Sequence, residues 1–68
     1  MKSISGKHFV RLLEKKGWRL VRISGSHHVY MKHENPARLS IPIHRNEDLK
    51  IGLLRHFMKV AGIEESDL

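Results

Sequence analysis

The chain has 68 residues, with 13 Lys and Arg against 7 Asp and Glu, which gives a formal net charge of +6. Because 40 % of its residues are hydrophobic, residues 1–68 are predicted to form one small globular domain rather than a disordered segment. The absence of cysteine excludes disulfide scaffolds, thiol catalysis and Cys-containing zinc sites. No apolar run approaches the roughly 20 residues of a membrane span, so we expect a soluble, cytoplasmic protein without a membrane partner.

The positive charge is concentrated in the first half of the chain. Residues 1–33 hold eight basic residues and one acid, whereas residues 34–68 hold five basic residues and six acids. Three of those acids lie in a tail at positions 64–68. This polarity predicts a basic face that binds a polyanion, and nucleic acid is the most common polyanion.

A helix is predicted from Gly6 to Lys16. Apolar residues recur there at helical spacing with Lys and Arg between them, a serine precedes the segment and a glycine follows it. A strand is predicted next, from Trp18 to Ile23. Its residues form two alternating sets, with Arg19, Val21 and Ile23 on one face and Trp18, Leu20 and Arg22 on the other. Regular alternation places Arg19 and Arg22 on opposite faces of this strand, with both faces partly covered.

A Ser-Gly-Ser turn then leads into a second predicted strand, His27–His33, which pairs with the first as a hairpin. If Val29 and Met31 face the helices, His27 lies at the margin of the covered side. His28 then lies on the open face. A bulge at the glycine turn would reverse this assignment, so alternation leaves both histidines as candidates for an exposed functional group.

The third predicted strand has alternating Leu39, Ile41 and Ile43, and Pro42 indicates a sheet edge or a strand end. A second helix is predicted from Leu49 to Ala61, after a run of helix-starting residues. The order is therefore helix, three antiparallel strands, helix. We predict an α+β two-layer sandwich with both helices on one face of the sheet, the order found in double-stranded-RNA-binding domains.

Six histidines are the candidates for proton transfer, since imidazole titrates near neutral pH. His27 and His28 follow the glycine turn at a strand start, where a side chain is accessible; the alternative is a polar hairpin without chemistry. His44 follows the third strand and is either a second proton-transfer group or a solvated loop residue. A metal site on His27, His28 and His33 is not favoured, because adjacent residues on a strand point to opposite faces.

The basic residues around the hairpin either bind phosphates along one side of it or form an ordinary solvated surface. This set consists of Lys15, Lys16, Arg19, Arg22 and Lys32. Trp18 is predicted to anchor the core. Tyr30 shares a face with His28 and Lys32 and is included among the residues expected to contact RNA, with burial in the core as the alternative.

In five segments the chain resembles the HicA toxins, the small ribonucleases of HicA–HicB toxin–antitoxin pairs. The matching segments are Leu12–Trp18, Gly25–His28, Ile41–His44, Asp48–Gly52 with Leu54, and Ala61–Ile63. The resemblance implies a double-stranded-RNA-binding-like fold, cleavage of mRNA without a metal or another cofactor, and inhibition by a HicB antitoxin protein. It also implies that His27, directly after Gly25 and Ser26, is the catalytic histidine.

The chemistry expected from this resemblance uses His27 as general base for the ribose 2′-OH, a group that DNA lacks. Positive charge from Arg22 and Lys32, with Lys16 or Arg19, would stabilise the phosphorane. The general acid is left open between His28 and His44. Two other functions fit the same residues: a non-catalytic module that binds double-stranded RNA, and a protein-interaction domain that docks on an acidic partner.

Overall fold

The computed structural model describes residues 2–68 of the chain. In chain order it contains helix α1, strands β1 to β3, helix α2 and a short 3₁₀ helix, which span Gly6–Lys15, Arg19–Ser24, His27–Lys32, Asn35–Pro42, Ile51–Ala61 and Glu65–Asp67. The three strands form one antiparallel sheet in the order β1-β2-β3. The predicted α+β fold with the order α-β-β-β-α is therefore confirmed.

Helix α1 begins where the sequence predicts and ends one residue earlier. Ser5 is its N-cap: the backbone there is extended, and the side chain accepts a hydrogen bond from the His8 N–H at 3.1 Å. At the other end Gly17 has a φ of 94°, and the Trp18 N–H donates at 3.0 Å to a carbonyl in the last turn of the helix. This turn leads directly into β1 and buries Trp18, which confirms its predicted place in the core.

Helix α2 begins at Ile51, two residues later than predicted. The residues before it form sheet-like contacts with the segment that precedes α1. Asp48 makes an isolated β-bridge with Ser5, and the Leu49 N–H donates to the Ile4 carbonyl at 2.8 Å. Because their backbone is engaged in this pairing, Asp48 and Leu49 do not take part in the first turn of the helix.

Strand β3 begins at Asn35 and has Pro36 as its second residue. Pro36 has no backbone N–H, and β3 is an edge of the sheet, where such a residue is tolerated. The Asn35 side chain accepts a hydrogen bond from the Ala37 N–H at 2.9 Å. The strand therefore extends further towards the β2–β3 turn than alternation alone indicates.

Twelve buried apolar residues of the described chain form one core. The helices meet there, since the rings of Phe9 on α1 and Phe57 on α2 stack with their centroids 5.9 Å apart. The sheet contributes Tyr30, Leu39 and Ile41, which share one face because Tyr30 pairs with Leu39 and Ile41 follows two residues later. Both helices therefore cover the same face of the sheet, as predicted. The other face is called the open face below.

The face of β2 that the helices cover is the one that holds Tyr30. Tyr30 is 2 % exposed, and Val29 and Met31 lie on the open face. The Tyr30 hydroxyl donates to the Glu14 carboxylate of α1 at 3.3 Å, so the ring fills the core while its polar end has a partner. The condition considered from the sequence, that Val29 and Met31 face the helices, is therefore not met. Of the two alternatives considered for Tyr30, RNA contact and burial in the core, the structure has the second.

Strand β1 is exposed at all six positions, which contradicts the prediction that both of its faces are partly covered. It is the second edge of the sheet, and the helices leave it uncovered. Leu20 and Ile23, which lie on the helix side, consequently remain 42 % and 56 % exposed.

Gly6 allows α1 to approach the end of β3. A Cβ at this position would overlap the Pro42 carbonyl oxygen and lie 3.2 Å from the Ile43 side chain. Gly6→Ala is therefore expected to lower the free energy of unfolding by about 1–3 kcal/mol, measured by urea denaturation. The control is Gly52→Ala on α2, where a Cβ has no neighbour within 4 Å. It should raise stability by up to about 1 kcal/mol, and equal effects of the two changes would contradict the close contact at Gly6.

Burial, followed by the charge and the hydrogen bond of Glu14, raises the pKa of Tyr30 to about 12 from an ordinary value of 10.0. Between these two pH values the unfolded chain has lost the phenol proton and the folded protein retains it. The contribution of Tyr30 to the free energy of unfolding is therefore constant below pH 10 and should fall by about 2 kcal/mol towards pH 12. Denaturation of the wild type and of Tyr30→Phe measures this loss, because the stability difference between them should shrink over that range. A constant difference would show that the raised pKa is wrong.

Candidate functional site

The β1–β2 hairpin presents His27 at its tip. Its two-residue turn, Gly25-Ser26, is closed by the pair Ser24 and His27. Of the two turn residues only Gly25 has a positive φ, of 60°, which is the pattern of a type II′ turn and favours glycine at that position. His27 is the first residue of β2, and its side chain is exposed.

The end of β3 and the residue that follows it contact this same turn through the backbone. Pro42 pairs with His27, and the Ile43 N–H donates to the Ser26 carbonyl at 2.8 Å. His44 is the next residue and is exposed, and its carbonyl accepts a hydrogen bond from the Glu47 N–H at 3.0 Å. The backbone of His44 is thus held beside the turn that presents His27.

His28 lies on the helix side of the sheet, opposite to His27. Its cross-strand neighbours are Ile23 and Ile41, it is half-buried, and its Nδ1 atom is buried without a hydrogen-bond partner. Alternation left both histidines as candidates, with His28 on the open face if Val29 and Met31 faced the helices. Because Tyr30 and not Val29 or Met31 enters the core, the reverse arrangement is observed, with His27 on the open face.

An irregularity in β1 decides where its arginines point. Arg19 pairs with Met31 and Arg22 with Val29, so a three-residue step on β1 matches a two-residue step on β2, and Val21 is the extra residue. Residues three apart on a regular strand lie on opposite faces. Because of this β-bulge, both arginines lie on the open face, and the prediction that they lie on opposite faces is wrong.

The pairing arranges the open face as three rows of three residues, one from each strand. In the order β1, β2, β3 the rows are Arg19, Met31 and Arg38; Arg22, Val29 and Ser40; and Ser24, His27 and Pro42. Neighbours within a row have Cβ atoms about 4.5–5.5 Å apart. Three arginines therefore flank an apolar centre, His27 is at one end of it, and none of the nine positions holds an acidic residue.

Arg38 is the residue of this face that sequence reasoning missed. It is exposed on β3 and pairs with Met31, opposite Arg19. A shallow depression beside it is lined by Val21, Arg22, Val29 and Arg38. The signal was present in the sequence, because Arg38 alternates with Leu39, whose burial sends Arg38 to the other face.

The lysines of the predicted phosphate-binding set lie elsewhere. Lys15 is in the last turn of α1 and Lys16 is its C-cap. Lys32 lies on the Tyr30 side of β2, and its Cε atom is 3.5 Å from where a Cβ on Gly17 would be. The prediction that these lysines line one side of the hairpin together with Arg19 and Arg22 is therefore wrong. The lysines are near the end of α1, and the arginines are on the open face.

Lys16 is further engaged by the acidic tail. Its ammonium is 3.5 Å from the Asp67 carboxylate, and the Glu64 N–H donates to the same carboxylate at 2.9 Å. The Glu64 N–H, and then the Lys16 ammonium, hold the pKa of Asp67 below its ordinary value. The tail thus competes with any phosphate for Lys16, whereas none of the nine open-face positions, which include the three arginines, holds an acid.

Two further features of the described residues concern a metal site and a membrane-spanning helix. Residues 2–68 contain no group of three His, Asp or Glu side chains placed to hold a metal ion. Within the same residues, neither helix is long and apolar enough to cross a membrane.

The fold and its open face define a small basic α+β domain with a histidine at the tip of a hairpin and arginines beside it. The family model for the HicA toxin of bacterial toxin–antitoxin systems matches residues 6–63. The chain belongs to the HicA toxin family. This family implies an antitoxin partner, and its members are known as ribonuclease-type toxins. Comparison with curated proteins gave no match.

Proposed function

We propose that this chain is a cytoplasmic, metal-independent endoribonuclease that cleaves mRNA, with His27 as its general base. The observation that carries the proposal is the placement of His27, exposed on the same uncovered sheet face as Arg19, Arg22 and Arg38. Membership of the HicA toxin family supports a nuclease activity of this kind. None of the other five histidines occupies one of the nine positions of the open face.

The proposed reaction is an internal transesterification. The His27 imidazole accepts the proton of the ribose 2′-OH, O2′ forms a bond to the phosphorus, and the bond from phosphorus to the 5′-oxygen of the next nucleotide breaks. The leaving 5′-oxygen takes up a proton from a general acid. The products are a 2′,3′-cyclic phosphate and a 5′-hydroxyl, and guanidinium groups of the open face stabilise the charge of the phosphorane.

For the general acid we favour His44 over His28. The imidazole of His28 is on the helix side of the sheet, away from a substrate on the open face. His44 is exposed and directly follows Ile43, whose N–H binds the turn at Ser26. Its position beside the turn supports a role near the scissile bond.

The antitoxin that the family implies is proposed to be a HicB protein that covers His27 and the open face. A partner with acidic groups is complementary to the three arginines there, and it would block access of RNA to His27. This inhibition is steric and electrostatic and needs no change in the fold of the toxin.

The variant His27→Ala tests the proposed base. Loss of a general base is expected to lower the rate of mRNA cleavage by about 100-fold or more, measured with purified protein in the presence of a metal chelator. His33→Ala is the matched control, because His33 is highly exposed near Glu34 and lies outside the open face. It should cleave as fast as the wild type.

Product analysis gives the second readout. Ends that carry a 2′,3′-cyclic phosphate are expected, and 3′-hydroxyl ends or complete inhibition by the chelator would contradict the mechanism. If His27→Ala cleaves mRNA fully and His28→Ala does not cleave it, the assignment of the general base to His27 is wrong and His28 is the base. Binding of RNA without any cleavage by the wild type would favour the alternative function, a module that binds double-stranded RNA.

A further inference from the structure

The open face has the features of a binding surface for one extended polyanion strand. No helix covers it, and it has Val29 and Met31 along its middle, Arg19 and Arg22 on one side and Arg38 on the other. We propose that this face binds single-stranded RNA along β2, with Arg38 as a phosphate-binding residue opposite Arg19. This inference rests on the proposed ribonuclease function and adds to it the conformation of the substrate and the residues that hold it.

The dimensions of the face favour a single strand over a duplex. Adjacent strands are about 4.8 Å apart and successive rows about 6.6 Å, so the three rows span only about 10 Å by 13 Å. Modules that recognise double-stranded RNA span about 16 base pairs and contact two successive minor grooves. A face of three rows is too small for that, and it matches a few nucleotides that start at His27.

The side chains present also define how the strand is held. Phe9, Trp18, Tyr30 and Phe57 are all buried, so no Phe, Trp or Tyr ring is available for base stacking. Bases can instead stack on guanidinium planes and contact the apolar centre of the face. Most of the affinity must therefore come from the arginine–phosphate contacts, and binding should depend strongly on salt.

The charge pattern supports this face over the lysines at the end of α1. None of the nine positions of the open face holds a carboxylate. Lys16, in contrast, already has the Asp67 carboxylate 3.5 Å away. A polyanion that approaches the open face displaces no internal ion pair, and it arrives beside His27.

The test measures binding of an uncleavable single strand, a 2′-O-methyl RNA of about ten nucleotides, by fluorescence anisotropy over a series of salt concentrations. Three phosphate contacts predict a slope of log K against log salt of about −2, and Arg38→Gln should reduce its magnitude by about 0.7. The same variant should weaken binding about 3- to 10-fold at low salt. Arg19→Gln should act in the same way.

Arg55→Gln is the matched control. Arg55 is exposed on α2, on the helix side of the molecule, and its loss changes the net charge by the same amount. Weakening by Arg55→Gln equal to that by Arg38→Gln would show non-specific attraction and would overturn the proposal. Tighter binding of a duplex of the same sequence than of the single strand would overturn it as well.

The two proposals fail in different ways. If His27→Ala still cleaves mRNA while Arg38→Gln weakens binding of the uncleavable strand, the open face binds RNA and the assignment of the base is wrong. If His27→Ala abolishes cleavage while Arg38→Gln binds and cleaves like the wild type, the ribonuclease mechanism stands. In that case the proposed binding face is wrong.

Discussion

One-sided burial of the sheet is the constraint on which the rest of the structure depends. A chain of 68 residues has material for one layer of helices, and the Tyr30, Leu39 and Ile41 side chains hold that layer on one face. The opposite face is left to solvent and therefore accommodates charge at little cost. Because successive side chains of a strand point to opposite faces of the sheet, the burial of Tyr30 places His28 on the helix side and His27 on the open face.

The hairpin tip is fixed to the rest of the fold by backbone contacts. The Ile43 N–H binds Ser26, the start of α1 contacts Pro42 at Gly6, and Asp48 pairs with Ser5. These contacts join the turn beside His27 to both helices through the end of β3. A site at the tip of a two-stranded hairpin is mobile when the hairpin stands alone. Here the third strand and its continuation hold it, and the proposed proton transfer would need such a fixed position.

The sequence predicts the order and approximate ends of the helices and strands well, but it predicts poorly which side of the sheet each side chain lies on. Helical spacing and a capping serine located α1 within one residue, whereas the start of α2 depended on the pairing of Asp48 with Ser5, which is distant in sequence. Aliphatic and aromatic residues alternate on β2, and periodicity cannot tell which set enters the core. The bulge at Val21 is set by pairing with β2, so it was not visible beforehand. His27 came from the resemblance to HicA toxins, and its catalytic role remains a proposal.

The bulge at Val21 also affects how copies of the protein behave towards one another. An exposed edge strand with Leu20 and Ile23 on its surface is a template for edge-to-edge aggregation. The irregular backbone at Val21 interrupts the row of free N–H and C=O groups, and Arg19 and Arg22 add mutual repulsion between two such edges. A polyanion bound at these arginines, as proposed above, would neutralise that repulsion and leave only the bulge as protection against edge-to-edge pairing. We therefore expect colloidal stability to be lowest where nucleic acid and protein are present at matching charge.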